Sequence, residues 1–302
     1  MTYGYIGLGN LGKHLAASLR RAGLTVVVHD LHREAARPLL DAGCIWADSP
    51  RTLAEQVDCV ITCLPSPAAS NAVLLGPDGV LQGLREGGTW IEMSTTDERE
   101  IKRVAAIAAE RGIATLECPV TGGVHLAATG KITVLVGGEQ AVFEKHREAL
   151  QAMGGQTFYM GELGKASVIK VITNTLAFIH LVAAGEALML AKRGGLDLAQ
   201  AFHAIKASSG TSFVHETESQ LVLNGSYNIK FTMDLACKDL GFAYEYGRKF
   251  GVPLELAGLT EQIFRRGRSQ YGGEAQSTQI VKLLEDALGT DLRAPGFPDE
   301  LK

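Results

Sequence analysis

The sequence predicts an α/β domain with a doubly wound sheet, followed by an all-α domain joined to it by a long helix. Over residues 1–160, short apolar runs alternate with helical patterns, which is typical of a parallel sheet covered by helices on both faces. From Leu163 to Arg193 almost nothing breaks a helix, and only helical patterns follow. The length of 302 residues exceeds what one core usually holds and therefore favours two domains.

The strands of the first part are predicted from runs that are short, apolar or β-branched and bounded by Gly, Pro or Asp. They are Tyr3–Ile6, Thr25–His29, Cys59–Cys63, Thr89–Glu92, Thr115–Glu117 and Thr133–Val136. Two helices between them, Leu11–Ala22 and Glu98–Arg111, show apolar residues on one face and a glycine at the end.

The second part begins with the long helix, which Gly194 and Gly195 end and which would span about 45 Å. Further helices are predicted at Leu198–Ala207, Asp234–Phe250, Leu254–Gly267 and Thr278–Ala287. We place the domain boundary near residue 162, so that residues 1–162 form the first domain and residues 163–302 the second. Residues 289–302 are expected to form a loose tail.

Composition and charge exclude several classes of protein. A net charge of −4 gives no basic face for nucleic acid, and five scattered cysteines without a C-x-x-C pair predict reduced thiols in a cytoplasm. The apolar segment Thr175–Ala191 contains His180, Gly185 and Glu186, which predicts a helix buried in protein rather than a membrane span. We expect a soluble cytoplasmic protein without a metal, a nucleic-acid partner or a membrane partner.

A glycine-rich hexapeptide directly follows the first strand and opens the first helix. Its residues fit the pattern G-x-G-x-x-G and are Gly7, Leu8, Gly9, Asn10, Leu11 and Gly12. A glycine-rich turn without a ligand is the alternative, but the strand and helix on either side favour a Rossmann-like dinucleotide site. In such a site the helix N-terminus faces the diphosphate with its N–H groups and its dipole.

Asp30 ends the second strand, where an acid should bind the ribose hydroxyls. Its carboxylate would repel a 2′-phosphate, which favours NAD as the cofactor. His32 and Arg33 follow at once and could pair with such a phosphate, so NADP stays possible.

Three further segments add to the case for a ligand-binding site. Thr95 lies in a loop after the fourth strand, at the edge of the sheet where ligands bind. Thr121, Gly122 and Gly123 follow the fifth strand and would form a backbone-lined pocket for a small anion. At the start of the long helix, Lys170 and Asn174 are four residues apart and share one helix face.

Lys170 is the candidate general base or acid, because apolar neighbours surround it in the sequence. A lysine can remove a hydroxyl proton only if its pKa falls from about 10.4 toward 7–8, which burial can achieve. Lys165 is a rival in the first turn of the helix, where water reaches it more easily. Lys238, which precedes Asp239, could simply be a charge paired with that residue on a helix.

The sequence resembles the β-hydroxyacid dehydrogenase family, which includes 3-hydroxyisobutyrate, tartronate semialdehyde and 6-phosphogluconate enzymes. Four family motifs occur in order between residues 7 and 240: the glycine hexapeptide, P-V-T-G-G at 119–123, G-K-x₄-K-x₃-N at 164–174, and Lys238-Asp239-Leu240. The family fold is a Rossmann-like domain joined to a helical domain by one long helix. Family members are commonly dimers or tetramers built through their helical domains.

The resemblance implies a role for each matching residue. Lys170 would be the catalytic lysine and Asn174 would help hold the substrate. Thr121, Gly122 and Gly123 would receive the acid group of a small anionic substrate. The positions that lie along the cofactor would be Leu64, Pro65, Thr95 and Lys238.

Two departures from the family pattern bear on the substrate. Thr121 stands where serine is usual, and Leu126 stands where glycine is common, so both add bulk near the acid-binding loop. The leading hypothesis is an NAD-dependent dehydrogenase of a small 3-hydroxy acid. The alternatives are a reductase of a small semialdehyde and a nucleotide-binding module without catalysis, which the presence of Lys170 and Asn174 disfavours.

Overall fold

A computed structural model describes residues 1–301, and it confirms the predicted fold class. The chain forms two compact units, Met1–Lys170 and the part from Val171 onward, so the division falls inside the long helix. The predicted domain boundary near residue 162 stays a prediction.

The first unit contains a single sheet. Its strands are β1 Thr2–Ile6, β2 Thr25–His29, β3 Ile45–Trp46, β4 Cys59–Thr62, β5 Thr89–Glu92, β6 Ala114–Glu117, β7 Val120–Thr121, β8 Ile132–Gly138 and β9 Gly154–Gly161. The strand order is β3-β2-β1-β4-β5-β6-β8-β7, and β9 also pairs with β8. Because β1 lies between β2 and β4, the strand order reverses there, which is where open α/β sheets bind their ligands.

The helices of this unit connect the strands and cover the sheet. They are α1 Gly12–Arg21, α2 Arg37–Asp41, α3 Pro50–Ala54, α4 Pro67–Leu75, α5 Glu98–Ala109, α6 Val124–Ala128 and α7 Gln140–Met153, and short 3₁₀ turns occupy Arg33–Ala36 and Val80–Gln82. Two apolar clusters form the core. One contains Leu15 and Val28, and the other contains Leu53 and Trp90, all of them buried.

The sheet is not parallel throughout, which corrects the sequence prediction. Strand β8 runs antiparallel to both β6 and β7, whereas the pairs from β3 through β6 and the pair β8–β9 are parallel. Between β6 and β8 the chain forms only the two-residue β7 and the five-residue α6. Strand β8 pairs antiparallel with both β6 and β7, so the chain returns alongside the two strands that precede it.

The second unit is helical, as predicted, and has its own core around Phe178, Phe202 and Phe264. The helices are α8 Lys165–Arg193, which begins in the first unit, α9 Leu198–Lys206, α10 Phe213–Asn224, α11 Met233–Phe250, α12 Glu255–Tyr271 and α13 Lys282–Leu288, with a 3₁₀ turn at Ser277–Val281. The prediction of a loose tail is wrong for residues 289–301. Leu292 is fully buried there, and the Ala294 N–H donates to the carbonyl of Leu223.

Helix α8 is only partly buried within the single chain. By length and composition it is the one helix among the described residues that could cross a membrane, with mean hydropathy 1.6 over its most apolar window. Only 28% of that window is buried, and Ile172, Leu176 and Leu190 are exposed. The single chain therefore buries only part of this helix, and the prediction that the helix is buried in protein stays a prediction.

Candidate active site

The glycine-rich loop sits at the carboxyl end of β1, where backbone segments approach too closely for side chains. Gly7 has φ +96°, and a Cβ there would lie 2.3 Å from the carbonyl oxygen of Cys63. A Cβ on Gly12 would lie 1.9 Å from the carbonyl oxygen of Gly7. A Cβ on Gly9 would meet nothing within 4 Å, so the loop has open space where a diphosphate would approach its backbone.

Helix α1 begins at Gly12, directly behind this open space. No side chain caps its N-terminus, and its first turn contains no acidic residue. By contrast, side chains of Ser49, Ser66 and Asp97 cap α3, α4 and α5. The N–H groups and the dipole of α1 are thus oriented to bind phosphate, and the loop fits a dinucleotide.

Asp30 holds the glycine loop in addition to its predicted role toward the ribose. One carboxylate oxygen accepts from the N–H of Leu8 at 2.7 Å, and the other accepts from the N–H of His32 at 2.9 Å. Leu8 is buried, so its N–H needs a partner within the protein. The lone pairs that remain on the carboxylate are available to ribose hydroxyls.

The segments that contain Leu64 and Thr95 are joined by a buried carboxylate that the sequence analysis did not single out. Glu92, at the end of β5, accepts hydrogen bonds from the Thr62 hydroxyl at 3.1 Å and from the Ser94 N–H at 2.8 Å. The N–H of Leu64 then donates to the Ser94 hydroxyl at 2.7 Å. Burial raises the pKa of Glu92, and hydrogen bonds from Ser94 and other neighbours oppose that shift.

This network fixes two of the predicted cofactor-lining segments against each other at the carboxyl edge of the sheet. Leu64 and Thr95 are half-buried there, while Pro65 and Asn10 are exposed. The only local sign in the sequence is an acidic residue at the end of an apolar strand.

The predicted acid-binding loop begins in β7, where Thr121 pairs with Thr133 of β8. Thr121 and Gly122 are half-buried, and Gly123 is exposed. Leu126, on α6, packs back against this loop. Its Cδ1 lies 2.8 Å from the position that a Cβ on Gly122 would occupy.

Lys170 is buried, with 8% of its surface exposed, in the second turn of α8. It lies near the carboxyl end of β4, which follows from its effect on Cys63. Burial and the charge of Glu92 raise the pKa of the Cys63 thiol to about 12, and the positive charge of Lys170 opposes the rise. Lys165, the rival base, is exposed.

Asn174 and Lys238 meet at Asp239, within the second unit. The Asn174 amide donates to one carboxylate oxygen of Asp239 at 2.6 Å, and the Lys238 ammonium donates to the other at 2.8 Å. Asp239 is buried, with 1% of its surface exposed. Because Nδ2 of Asn174 donates to this carboxylate, the orientation of the amide is fixed, and its Oδ1 is the acceptor atom of the side chain.

The pairing of Lys238 with Asp239 was one of the two alternatives drawn from the sequence. The ammonium of Lys238 also lies 5.1 Å from the ring centre of Phe242. Its predicted role along the cofactor stays a prediction. Within residues 1–301, no group of three or more His, Cys, Asp or Glu side chains is placed to hold a metal ion.

Comparison with known proteins gives matches along nearly the whole chain. Residues 2–161 match the family described as the NAD binding domain of 6-phosphogluconate dehydrogenase. Residues 164–284 match the family described as NAD-binding of NADP-dependent 3-hydroxyisobutyrate dehydrogenase. Together these two matches cover both parts of the chain.

Individual relatives agree with these matches. The chain is 32% identical to 2-(hydroxymethyl)glutarate dehydrogenase of Eubacterium barkeri, over 96% of each chain. It is 31% identical to L-threonate dehydrogenase of Escherichia coli K12, over 93% of this chain and 94% of the relative. A crystal structure of 3-hydroxyisobutyrate dehydrogenase from Salmonella typhimurium superposes with a TM-score of 0.88 at 29% identity, covering 94% of this chain and 99% of that one.

Proposed function

The chain belongs to the β-hydroxyacid dehydrogenase family, and we propose that it transfers a hydride between NAD and a small 3-hydroxy acid of the 3-hydroxyisobutyrate type. The observation that carries the proposal is Lys170, a buried lysine near the carboxyl end of β4, one helical turn before Asn174. The substrates named for the relatives support the substrate class. 2-(Hydroxymethyl)glutarate, threonate and 3-hydroxyisobutyrate all have a hydroxyl group on the carbon β to a carboxylate.

When bound, NAD accepts the hydride from the carbon that bears the hydroxyl group. Lys170 takes the proton from that hydroxyl during oxidation and returns it during reduction, and its burial keeps bulk water from competing. Asn174, whose amide nitrogen is held by Asp239, presents Oδ1 as an acceptor that orients the substrate hydroxyl or the ammonium. Thr121 and the two glycines after it bind the acid group of the substrate.

Cofactor preference follows from Asp30. Its carboxylate would lie against a 2′-phosphate and repel it, which favours NAD over NADP. The glycine loop, the uncapped N-terminus of α1 and the segments with Leu64 and Thr95 hold the rest of the cofactor.

We also propose a homo-oligomer, a dimer or a tetramer, in the cytoplasm. The apolar side chains that α8 exposes, among them Ile172, Leu176 and Leu190, support the oligomer, because large apolar side chains exposed along one helix favour burial in a protein contact. Sedimentation equilibrium measures the assembly. A monomer at micromolar concentration would contradict this part of the proposal.

The reaction is tested by following NADH formation at 340 nm with a panel of hydroxy acids at mildly alkaline pH. The panel contains 3-hydroxyisobutyrate, 3-hydroxypropionate, threonate, serine, 4-hydroxybutyrate and 2-(hydroxymethyl)glutarate, each with NAD⁺ and with NADP⁺. We expect turnover of at least one 3-hydroxy acid, with NAD⁺ preferred. NAD binding without turnover in either direction would contradict the proposal, and turnover only from aldehyde and NADH would make the protein a reductase.

Lys170→Ala tests the base directly, with Lys165→Ala as the matched control on the same helix. General acid–base groups contribute about 10²- to 10⁴-fold, so turnover of Lys170→Ala should fall by that factor while NAD binding changes little. Lys165→Ala should retain turnover, because that lysine is exposed. Turnover retained by Lys170→Ala, or lost equally in both variants, would remove Lys170 from the proposed role.

A further inference from the structure

Within the first unit, the proposed function uses the acid-binding loop at Thr121 and the start of α8, which contains Lys170. A second buried carboxylate, that of Glu117, connects these two segments. Glu117 is the last residue of β6 and none of its surface is exposed. It comes four residues before Thr121 in the sequence. Its side chain reaches 47 to 50 residues along the chain, to the start of α8.

Four donors from the first turn of α8 converge on this carboxylate. The N–H groups of Gly164, Ala166 and Ser167 donate at 2.5, 2.9 and 3.1 Å, and the Ser167 hydroxyl donates as well. The first N–H groups of a helix have no partner within the helix, so a side chain from another element supplies the cap here. A negative charge at this end also interacts favourably with the helix dipole.

The rest of the fold leaves room for this contact. Gly137 of β8 is the register partner of Glu117, and a Cβ on Gly137 would lie 2.4 Å from a carboxylate oxygen of Glu117. Burial raises the pKa of this carboxylate, and the hydrogen bonds from Ser167, Ala166 and Gly164 oppose the rise. Because all four donors need an acceptor, the contacts suit the ionised form.

The position of this cap along the helix gives it a consequence for catalysis. Lys170 follows Ser167 by three residues, so it lies about one turn beyond the capped residues and on nearly the same side. In the other direction, Glu117 is covalently continuous with the strand that leads to Thr121. We propose that Glu117 is a positioning residue that fixes Lys170 relative to the acid-binding loop.

This inference rests on the proposed function, in which Lys170 exchanges a proton with the substrate. Glu117 acts through the helix and touches neither substrate nor cofactor. The rate of proton and hydride transfer depends steeply on placement, and a shift of about 1 Å can cost about 10²-fold. Loss of the cap should therefore lower kcat more than it weakens the binding of either substrate.

Glu117→Gln is the primary test, because glutamine keeps the shape but turns an NH₂ group toward donors that need an acceptor. We expect kcat to fall by about 10- to 100-fold, while KM for the hydroxy acid and Kd for NADH stay within about twofold. Rates are expressed per folded site, counted by NADH binding. A substrate deuterated at the reacting carbon should show a larger isotope effect on kcat, because hydride transfer then limits turnover.

Glu285→Gln is the matched control for the loss of a buried carboxylate. Glu285 is also buried, and it accepts hydrogen bonds from the Leu292 N–H at 2.7 Å and from Arg293 at 3.0 Å in the second unit. Its variant should lower the melting temperature while leaving kcat per folded site and the isotope effect unchanged. If Glu117→Gln does not fold, Ser167→Ala is the second test of the cap. This variant removes one of the four donors to Glu117 and should lower kcat by about two- to fivefold.

The variants distinguish a failure of the positioning role of Glu117 from a failure of the proposed role of Lys170. Suppose that Lys170→Ala is inactive but Glu117→Gln keeps the wild-type kcat per folded site, or that Glu117→Gln changes only the KM for the hydroxy acid. Glu117 is then a structural cap and this inference is wrong. The same holds if Glu117→Gln does not fold and Ser167→Ala keeps the wild-type kcat. If Lys170→Ala itself keeps turnover, the proposed function fails and the inference falls with it.

Discussion

Replacing Asp30 by asparagine separates two roles that the sequence alone merges. A ribose acceptor at this position could be an amide as well as a carboxylate, so a role limited to the ribose predicts that asparagine is tolerated. The structure uses both carboxylate oxygens, one for the N–H of Leu8 and one for the N–H of His32. An asparagine offers one acceptor oxygen, and its NH₂ group must face the other N–H.

The magnitude follows from these contacts. A hydrogen bond to a charged group contributes about 1.5–3 kcal/mol, and the N–H of buried Leu8 would be left without a partner or with a weaker one. Because Leu8 lies within the glycine loop, that loss should appear in cofactor affinity as an increase of about 10- to 100-fold in Kd for NAD. NADP should lose less, since removing the charge of Asp30 also removes its repulsion of the 2′-phosphate.

Isothermal titration calorimetry with NADH and NADPH measures both effects on the purified protein. We expect the ratio of the two Kd values to move toward NADPH by about tenfold in Asp30→Asn and in Asp30→Ala. Asp48→Asn is the control, because Asp48 accepts only from the Trp46 indole N–H in the described contacts and lies outside the glycine loop. If Asp30→Asn keeps both affinities within twofold of wild type, the assignment of Asp30 to loop bracing is wrong.

The remaining predictions concern the substrate pocket and the pH dependence of stability. Leu126→Gly should raise kcat/KM for longer hydroxy acids by about tenfold or more, because it empties space beside Gly122, and an unchanged profile across chain lengths would contradict this. His146 is fully buried between Tyr3 and Thr89, and burial lowers its pKa from 6.5 to about 4. The folded state therefore binds fewer protons than the unfolded state, so stability is complete above pH 6.5 and falls by up to about 3 kcal/mol as the pH drops through 4. Urea unfolding of His146→Gln should show a flatter pH dependence between 4 and 6.5, and equal slopes in wild type and variant would disprove the role of His146.

Most of the fold could be predicted because its signals are local. The bounds of β2 and β5 agree with the prediction residue for residue, since each is a short β-branched or apolar run between turn residues. Strand β9 was not predicted, because Gly154–Gly161 contains three glycines and has an alternation too weak to indicate a strand. The antiparallel pairing of β8 was missed as well, because strand direction depends on how the chain returns and not on the composition of the strand.

The sequence also marks candidate site residues, because they lie in short motifs with known spacing, and their roles stay predictions. What the sequence does not show is how these residues are held. Glu92 binds Thr62 at a separation of 30 residues, and Asn174 binds Asp239 at a separation of 65. In the sequence, Asp239 reads as a partner for the neighbouring Lys238, and the structure adds that it also fixes the amide of Asn174.

The helix that contains Lys170 shows why such contacts leave no local signature. A helix capped by its own residues has Ser, Thr, Asp or Asn at the N-cap, as α5 has Asp97, and that pattern is readable from sequence. Helix α8 is preceded by Gly164, and the carboxylate that accepts from its first turn comes from β6. Two sequence features together indicate such a cap. One is an acid at the end of a buried strand, and the other is a helix start, much later in the chain, that lacks an acidic or hydroxyl cap of its own. Neither feature indicates a cap by itself, because only the folded sheet brings Glu117 and Gly164 together.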